Sequence, residues 1–235
     1  MATVTDVFVS GLVGNLIFYR RMGKSYARIK RAHLKQTSAT RTRGLNFGVA
    51  SRAGKALRGG LRAAMPVPTD RDMQNRFSGS IAKWIGQTTI DELQPTNEVP
   101  FLSTLAFTKE QSFSGRFKVP LMLQENIIAV GIDAFVPTLQ ISAPAGTSLI
   151  TLIISVAGCQ LKTGEPLGNE THTIEIPYNN TLIPAQMPEF HVATSTGSLT
   201  VAAARLIYKK PAYDTWIDMN KEAFMPAGVI DARYW

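Results

Sequence analysis

The chain of 235 residues has one cysteine, Cys159, which excludes an intrachain disulfide and a multi-cysteine zinc site and suits a reducing interior. Its three histidines are His33, His172 and His191. The last two are placed to face each other on sheet strands, but no carboxylate cluster adjoins them in sequence, so ordinary polar packing is the simpler reading and no metal is expected. Long apolar runs are missing too. The most apolar, Leu149 to Cys159, spans 11 residues and contains Thr151 and Ser155, against the roughly 20 that a spanning helix needs. It reads as a buried strand, and no membrane span is expected. Met1 to Ser10 lacks the basic and then apolar regions of a secretory signal, since Thr3, Thr5 and Asp6 interrupt it. A cytoplasmic or virion location is therefore expected, and Asn169-Glu170-Thr171 and Asn179-Asn180-Thr181 read as loop residues rather than glycosylation sites.

Catalytic signatures are absent in the same way. Gly23-Lys24-Ser25 looks like the end of a phosphate-binding loop, but Phe18 stands where the first glycine belongs. From Gly48 to Gly54-Lys55-Ala56 there is one residue too many, and Ala56 replaces the required hydroxyl. Neither a G-x-S-x-G elbow nor an H-E-x-x-H helix occurs. The paired carboxylates Asp70/Asp72 and Asp91-Glu92 sit at helix starts or in a loop, where capping explains them. The chain reads as non-enzymatic, with no catalytic residue and no cofactor.

The last shortage is of acid. Up to Pro68 the only acidic residue is Asp6, against thirteen basic ones, a net +12 that leaves −4 for residues 69–235 out of the overall +8. Those basic residues are Arg20, Arg21, Lys24, Arg28, Lys30, Arg31, Lys35, Arg41, Arg43, Arg52, Lys55, Arg58 and Arg62. All but Arg43 are candidates for contact with a polyanion or an acidic protein face, because a solvated helix face normally mixes charge signs.

The basic region contains two kinds of pattern. Leu16 to Arg21, then Met22-Gly23, then Lys24 to Lys30 reads as a β-hairpin with a positive φ at Gly23. Tyr26, Arg28 and Lys30 share one face of its second strand, and Ala27 and Ile29 share the other, so one side is expected to be wet and basic and the opposite side buried. Gly11 and Gly14 read as a bulge or a close backbone approach. From Ser38 to Arg62 the period becomes helical: Val49, Ala50, Ala53, Leu57 and Leu61 fall on one side, Arg41, Arg52, Lys55, Arg58 and Arg62 on the other, and Arg43 lies on the apolar side. Its five glycines each cost on the order of 1 kcal/mol of helix propensity, so packing must hold this helix.

Pro66-Val67-Pro68 ends the segment. Thr69-Asp70-Arg71-Asp72 resembles a cap for a second helix whose core stripe is Met73, Phe77, Ile81, Trp84 and Ile85. Short strands follow at Gly115–Val119, Ile127–Phe135, Leu149–Val156, His172–Ile176, Phe190–Thr194 and Leu199–Tyr208, with Leu149–Val156 as a central strand. The expected fold is mainly β with α: an antiparallel β-sandwich, immunoglobulin-like or jelly-roll, preceded by a basic hairpin and two helices. Its expected parts are residues 1–36, 37–98, 99–212 and an aromatic tail, 213–235, in which Trp216, Phe224, Tyr234 and Trp235 are candidate interface anchors.

Gly14 to Tyr19, Gly23 to Arg28, Lys35-Gln36-Thr37, Asn46-Phe47-Gly48 and Ala50-Ser51 resemble a broad group of uncharacterised small basic bacterial proteins that open with such a hairpin and continue into a β-rich body. The resemblance covers about a quarter of the chain. It implies one architecture throughout and a cell-interior origin, and it carries over no activity or site. Two functions fit the pattern. One is a self-assembling virion, shell or filament subunit, a homo-oligomer whose basic arm meets nucleic acid or a neighbour's acidic face. The other is a cytoplasmic module that binds DNA or RNA by charge, independently of sequence.

Overall fold

A computed structural model describes the chain except for residues 1, 6–7, 31–35, 67–71, 88–89, 97–98, 109–111, 125–126 and 220–224. For residues 2–5 and 8 it describes the backbone alone. The chain divides into two compact units, Met1–Arg41 and Thr42–Trp235.

The first unit is a four-stranded antiparallel meander of β1 (Ala2–Thr5), β2 (Phe8–Val13), β3 (Leu16–Arg21) and β4 (Lys24–Ile29) in sequence order. The expected hairpin is its second half, with Arg21 opposite Lys24 across a Met22-Gly23 turn. Both turn residues have positive φ, 50° and 77°, the geometry that lets a two-residue turn follow the twist of its strands. Gly14, with φ 59°, is not a bulge. It opens the equivalent two-residue turn between β2 and β3, where Val13 pairs with Leu16. The register puts Ile17, Tyr19, Arg21, Lys24, Tyr26 and Arg28 on one face and Leu16, Phe18, Arg20, Ser25, Ala27 and Ile29 on the other.

The second unit holds the helices and the main sheet. Helix α1 (Ser38–Gly60), in whose first turn the division falls, buries Val49, Ala50, Ala53 and Leu57, and Leu61 just beyond it is also buried. Helix α2 (Met73–Ile85) buries its expected stripe in full. Asp72 occupies its N-cap position without a side-chain capping bond, so the expected cap is not made by that residue. Thr69 and Asp70 lie outside the described residues. A four-residue helix, α3 (Phe113–Arg116), stands where a strand was expected at Gly115–Val119, because the Ser112 hydroxyl accepts from the Gly115 amide and starts a turn.

After α3 come β5 (Leu121–Leu123), β6 (Val130–Ile132) and α4 (Pro137–Gln140). The long strands follow: β7 (Leu149–Gln160), β8 (Pro166–Pro177), β9 (Ser198–Ala212), β10 (Thr215–Asp218) and β11 (Ala227–Tyr234). The main sheet runs β10-β9-β7-β8, all antiparallel, with β11 also paired to β9. The central place of β7 explains its largely apolar sequence, since both of its faces are covered. On one face Ala157, Cys159, Leu199, Val201 and Ala203 join a core with α1 and α2. On the other, Ile150, Leu152, Ile154, Val156, Leu206 and Tyr208 join a core under β5, β6, α3 and Phe190. Phe190–Thr194, expected as a strand, is irregular, although Phe190 and Val192 still point into that core.

The described fold is thus mixed α/β, about 41% strand and 25% helix, with antiparallel sheets and no barrel. Within residues 213–235, β10 and β11 belong to the main sheet, and the segment around Thr96, Val99 and Phe107 hydrogen-bonds to β11. No described helix is long and apolar enough to cross a membrane.

Candidate interaction surfaces

From Val9 to Gly48 no described side chain is buried. Arg20, Arg21, Lys24, Arg28 and Lys30 are all exposed, and the Arg20 side chain donates from its Nε to the Gly23 carbonyl across the turn. Alternation along β3 and β4 separates these residues by chemistry. Tyr19 and Tyr26 stack across the two strands with centroids 5.5 Å apart and planes at 19°. The Arg28 guanidinium lies over Tyr19 at 5.8 Å, within cation–π range. Arg21 and Lys24 flank this pair on the same face. The opposite face carries Leu16, Phe18, Ala27 and Ile29, of which Ile29 remains 67% exposed. Arg31 and Lys35 lie outside the described residues.

The basic residues of α1 divide differently. Arg41, Lys55 and Arg62 are exposed, as is Arg43, because the first turns of α1 are uncovered on every side and Leu45 and Phe47 are exposed with it. Arg52 donates from Nη2 to the Lys162 carbonyl at 3.2 Å. Arg58, a candidate for polyanion or partner contact, is half-buried, donates from Nη1 to Ser78 Oγ at 3.1 Å, and burial lowers its pKa. Both tie α1 to its neighbours.

The expected aromatic anchors also part company. Trp216 is exposed on β10, beside the fully exposed Tyr213 at the turn and the exposed Ile217. Tyr234 is instead buried, meeting Trp84 edge-on at 5.3 Å, and so anchors the chain's own core. Trp235 is half-buried and donates from Nε1 to Thr200 Oγ1 at 2.9 Å. Phe224 lies outside the described residues.

Two polar clusters go beyond the sequence reading, which expected His172 and His191 to face each other but did not bring Glu170 to them. Glu170 accepts from the His191 amide at 2.5 Å, and its carboxylate lies 3.2 Å from His191 Nδ1 and 3.4 Å from His172 Nε2. The His191 amide is the main reason its carboxyl sits below the usual range. The strand alternation of Glu170 and His172 was legible, but the return of His191 to the same spot depends on an irregular segment. The second cluster is buried: Asp231 and Arg233, with Oδ2 and Nε 3.7 Å apart on one face of β11. Asp231 accepts from the Leu123 amide at 2.9 Å, and Arg233 donates to the Leu123 carbonyl. Together they hold β5 to β11.

No group of three metal-ligating side chains able to hold an ion occurs among the described residues. Cys159 is buried, with its thiol pushed up to about 12 by desolvation, so it is protonated and a poor nucleophile near neutrality. A cleft of about 280 Å³ lined by Leu105, Phe113, Phe117 and Leu121 has Lys118 as the only ionisable residue among its described lining. No protein-family model, curated protein or solved structure matches the chain.

Proposed function

We propose that this chain is a non-enzymatic, self-assembling structural protein, a virion, shell or filament subunit, whose N-terminal arm is completed by a neighbouring copy. The observation that carries this reading is the sheet of the first unit, in which none of the described side chains is buried. A sheet gains stability by burying one face against another layer, yet Leu16, Phe18, Ala27 and Ile29 form an apolar face with no buried described residue. A second copy supplies the missing layer, and the net +12 of residues 1–68 against the −4 of the remainder favours head-to-tail contact. The exposed Tyr213, Trp216 and Ile217 of the β9–β10 hairpin offer a second apolar contact of the kind interfaces use.

The finer architecture belongs to this proposal. The central sheet is the main layer of an immunoglobulin-like or jelly-roll sandwich, and β5, β6 and the bridges from residues 129, 132 and 135 to 189, 186 and 183 support a rudimentary second sheet. Light scattering after size exclusion tests the assembly: a defined multimer that dissociates on Phe18→Asp is expected, and a wild-type monomer at every concentration refutes it.

A further inference from the structure

We infer that the Tyr19/Tyr26 face of the N-terminal sheet is a binding surface for single-stranded nucleic acid. The inference deepens the proposed function by assigning the arm's other face, and it stands on separate residues. The two faces of the β3–β4 hairpin differ in what they can recognise. The apolar face carries no charge except Arg20 near the turn. The opposite face carries Arg21, Lys24 and Arg28 around two stacked rings, and no acidic residue occurs from Phe8 to Lys30. Exposed cations with no anion among them demand a polyanion.

The rings decide which polyanion. Tyr19 and Tyr26 are 39% and 43% exposed in the middle of the cationic face. An acidic protein surface would pair with the cations and leave the aromatic surface uncompensated. A duplex would present phosphates but keep its base faces stacked inside. A single strand offers both groups at once, phosphates for the cations and free base faces for the rings, which is how sequence-tolerant single-strand platforms work. The platform is already formed: Tyr19 and Tyr26 are held by their cross-strand stack, and Arg28 lies over Tyr19. Arg21, Lys24 and Arg28 take part in no described salt bridge, in contrast to Arg52 and Arg58 on α1, which bond to protein groups.

Fluorescence anisotropy tests this with the full chain and labelled oligothymidine and oligouridine of about 16 nucleotides, a duplex of the same length, and polyglutamate as competitor. Single strands are expected to bind at low salt and to release as salt rises. Replacing Arg21, Lys24 and Arg28 together by Gln should reduce the slope of log affinity against log salt by about 2. Tyr19→Leu and Tyr26→Leu should each weaken binding about fivefold or more, and the corresponding Phe variants should retain it. The Phe variants keep the cross-strand stack, so they separate lost stacking on bases from a lost hairpin. Lys55→Gln with Arg62→Gln on α1 should change little. Equal affinity for duplex or polyglutamate, loss only in the α1 variant, or no binding at low salt overturns the inference. The assembly reading fails separately: a monomer that binds oligonucleotide contradicts that reading alone, and a multimer that binds none contradicts this one alone.

Discussion

The β3–β4 hairpin and the β7–β9 pair are built by the same rule and reach opposite ends. In both, antiparallel register and alternation sort side chains onto two faces. Along β7 both faces are covered, and Ile150, Leu152, Ile154 and Val156 lose all contact with solvent. Along β3 and β4 one face is as apolar as a half-buried strand needs, yet Leu16, Ile17 and Phe18 are only half-buried and all of β4 is exposed. The difference teaches that pattern specifies which face wants a cover, while a cover has to come from somewhere. Residues 42–235 supply it for β7 from their own helices and loops. For β3 and β4 the missing cover is the reason for reading the chain as one part of a larger assembly.

The comparison can be broken most forcefully at β11. Asp231→Ala leaves Arg233 charged and buried without its partner and the Leu123 amide without its acceptor. It should cost about 3–5 kcal/mol, read as a fall in the urea midpoint. Leu152→Ala in β7 should cost about 2–5 kcal/mol by cavity formation. Ile29→Ser on the arm's exposed face should move the same transition by no more than about 0.5 kcal/mol. If those two costs came out alike, the arm would have a core of its own and the contrast would fail.

A smaller effect is expected at Gly60. A Cβ there would lie 2.7 Å from the Ala157 Cβ and 2.9 Å from the Asn169 Cβ, so α1 can approach the sheet only with glycine at its end. Gly60→Ala should destabilise by roughly 1–3 kcal/mol despite its better helix propensity, as thermal or urea unfolding would report.

The smallest effect is at Glu170. The His191 amide holds its carboxyl below the usual range. The bond therefore contributes above the ordinary carboxylate pKa and is lost as pH falls through the lowered folded value. The protection factor of the His191 amide, its exchange rate relative to the intrinsic rate at each pH, should fall in acid, and Glu170→Gln should remove most of that pH dependence.

Much of the body was legible in the sequence. The 3.6 period of Val49, Ala50, Ala53 and Leu57 and of Met73, Phe77, Ile81 and Trp84 gave both helices and their buried sides. The continuous apolar run at 149 gave the central strand. What was not legible depended on contacts far apart in sequence. Periodicity cannot tell that Arg58 will reach Ser78, that Gly60 is needed against Ala157, or that Tyr234 will face Trp84 rather than a partner. Gly115–Val119 failed for the opposite reason: a local bond from Ser112 outweighed strand propensity. On the arm, period-2 alternation told the two faces of β4 apart, because a hairpin's faces are set by register alone, but Ala27 and Ile29, expected to be buried, are both exposed. The additional strands β1 and β2 carried no signal as clear as the Gly23 turn.

The most direct test is light scattering of the intact chain after size exclusion at low and high salt, with the nucleic-acid to protein absorbance ratio recorded on each peak. The account predicts a defined multimer at low salt that Phe18→Asp reduces to a folded monomer. A wild-type chain that remains monomeric across concentration and salt would contradict it.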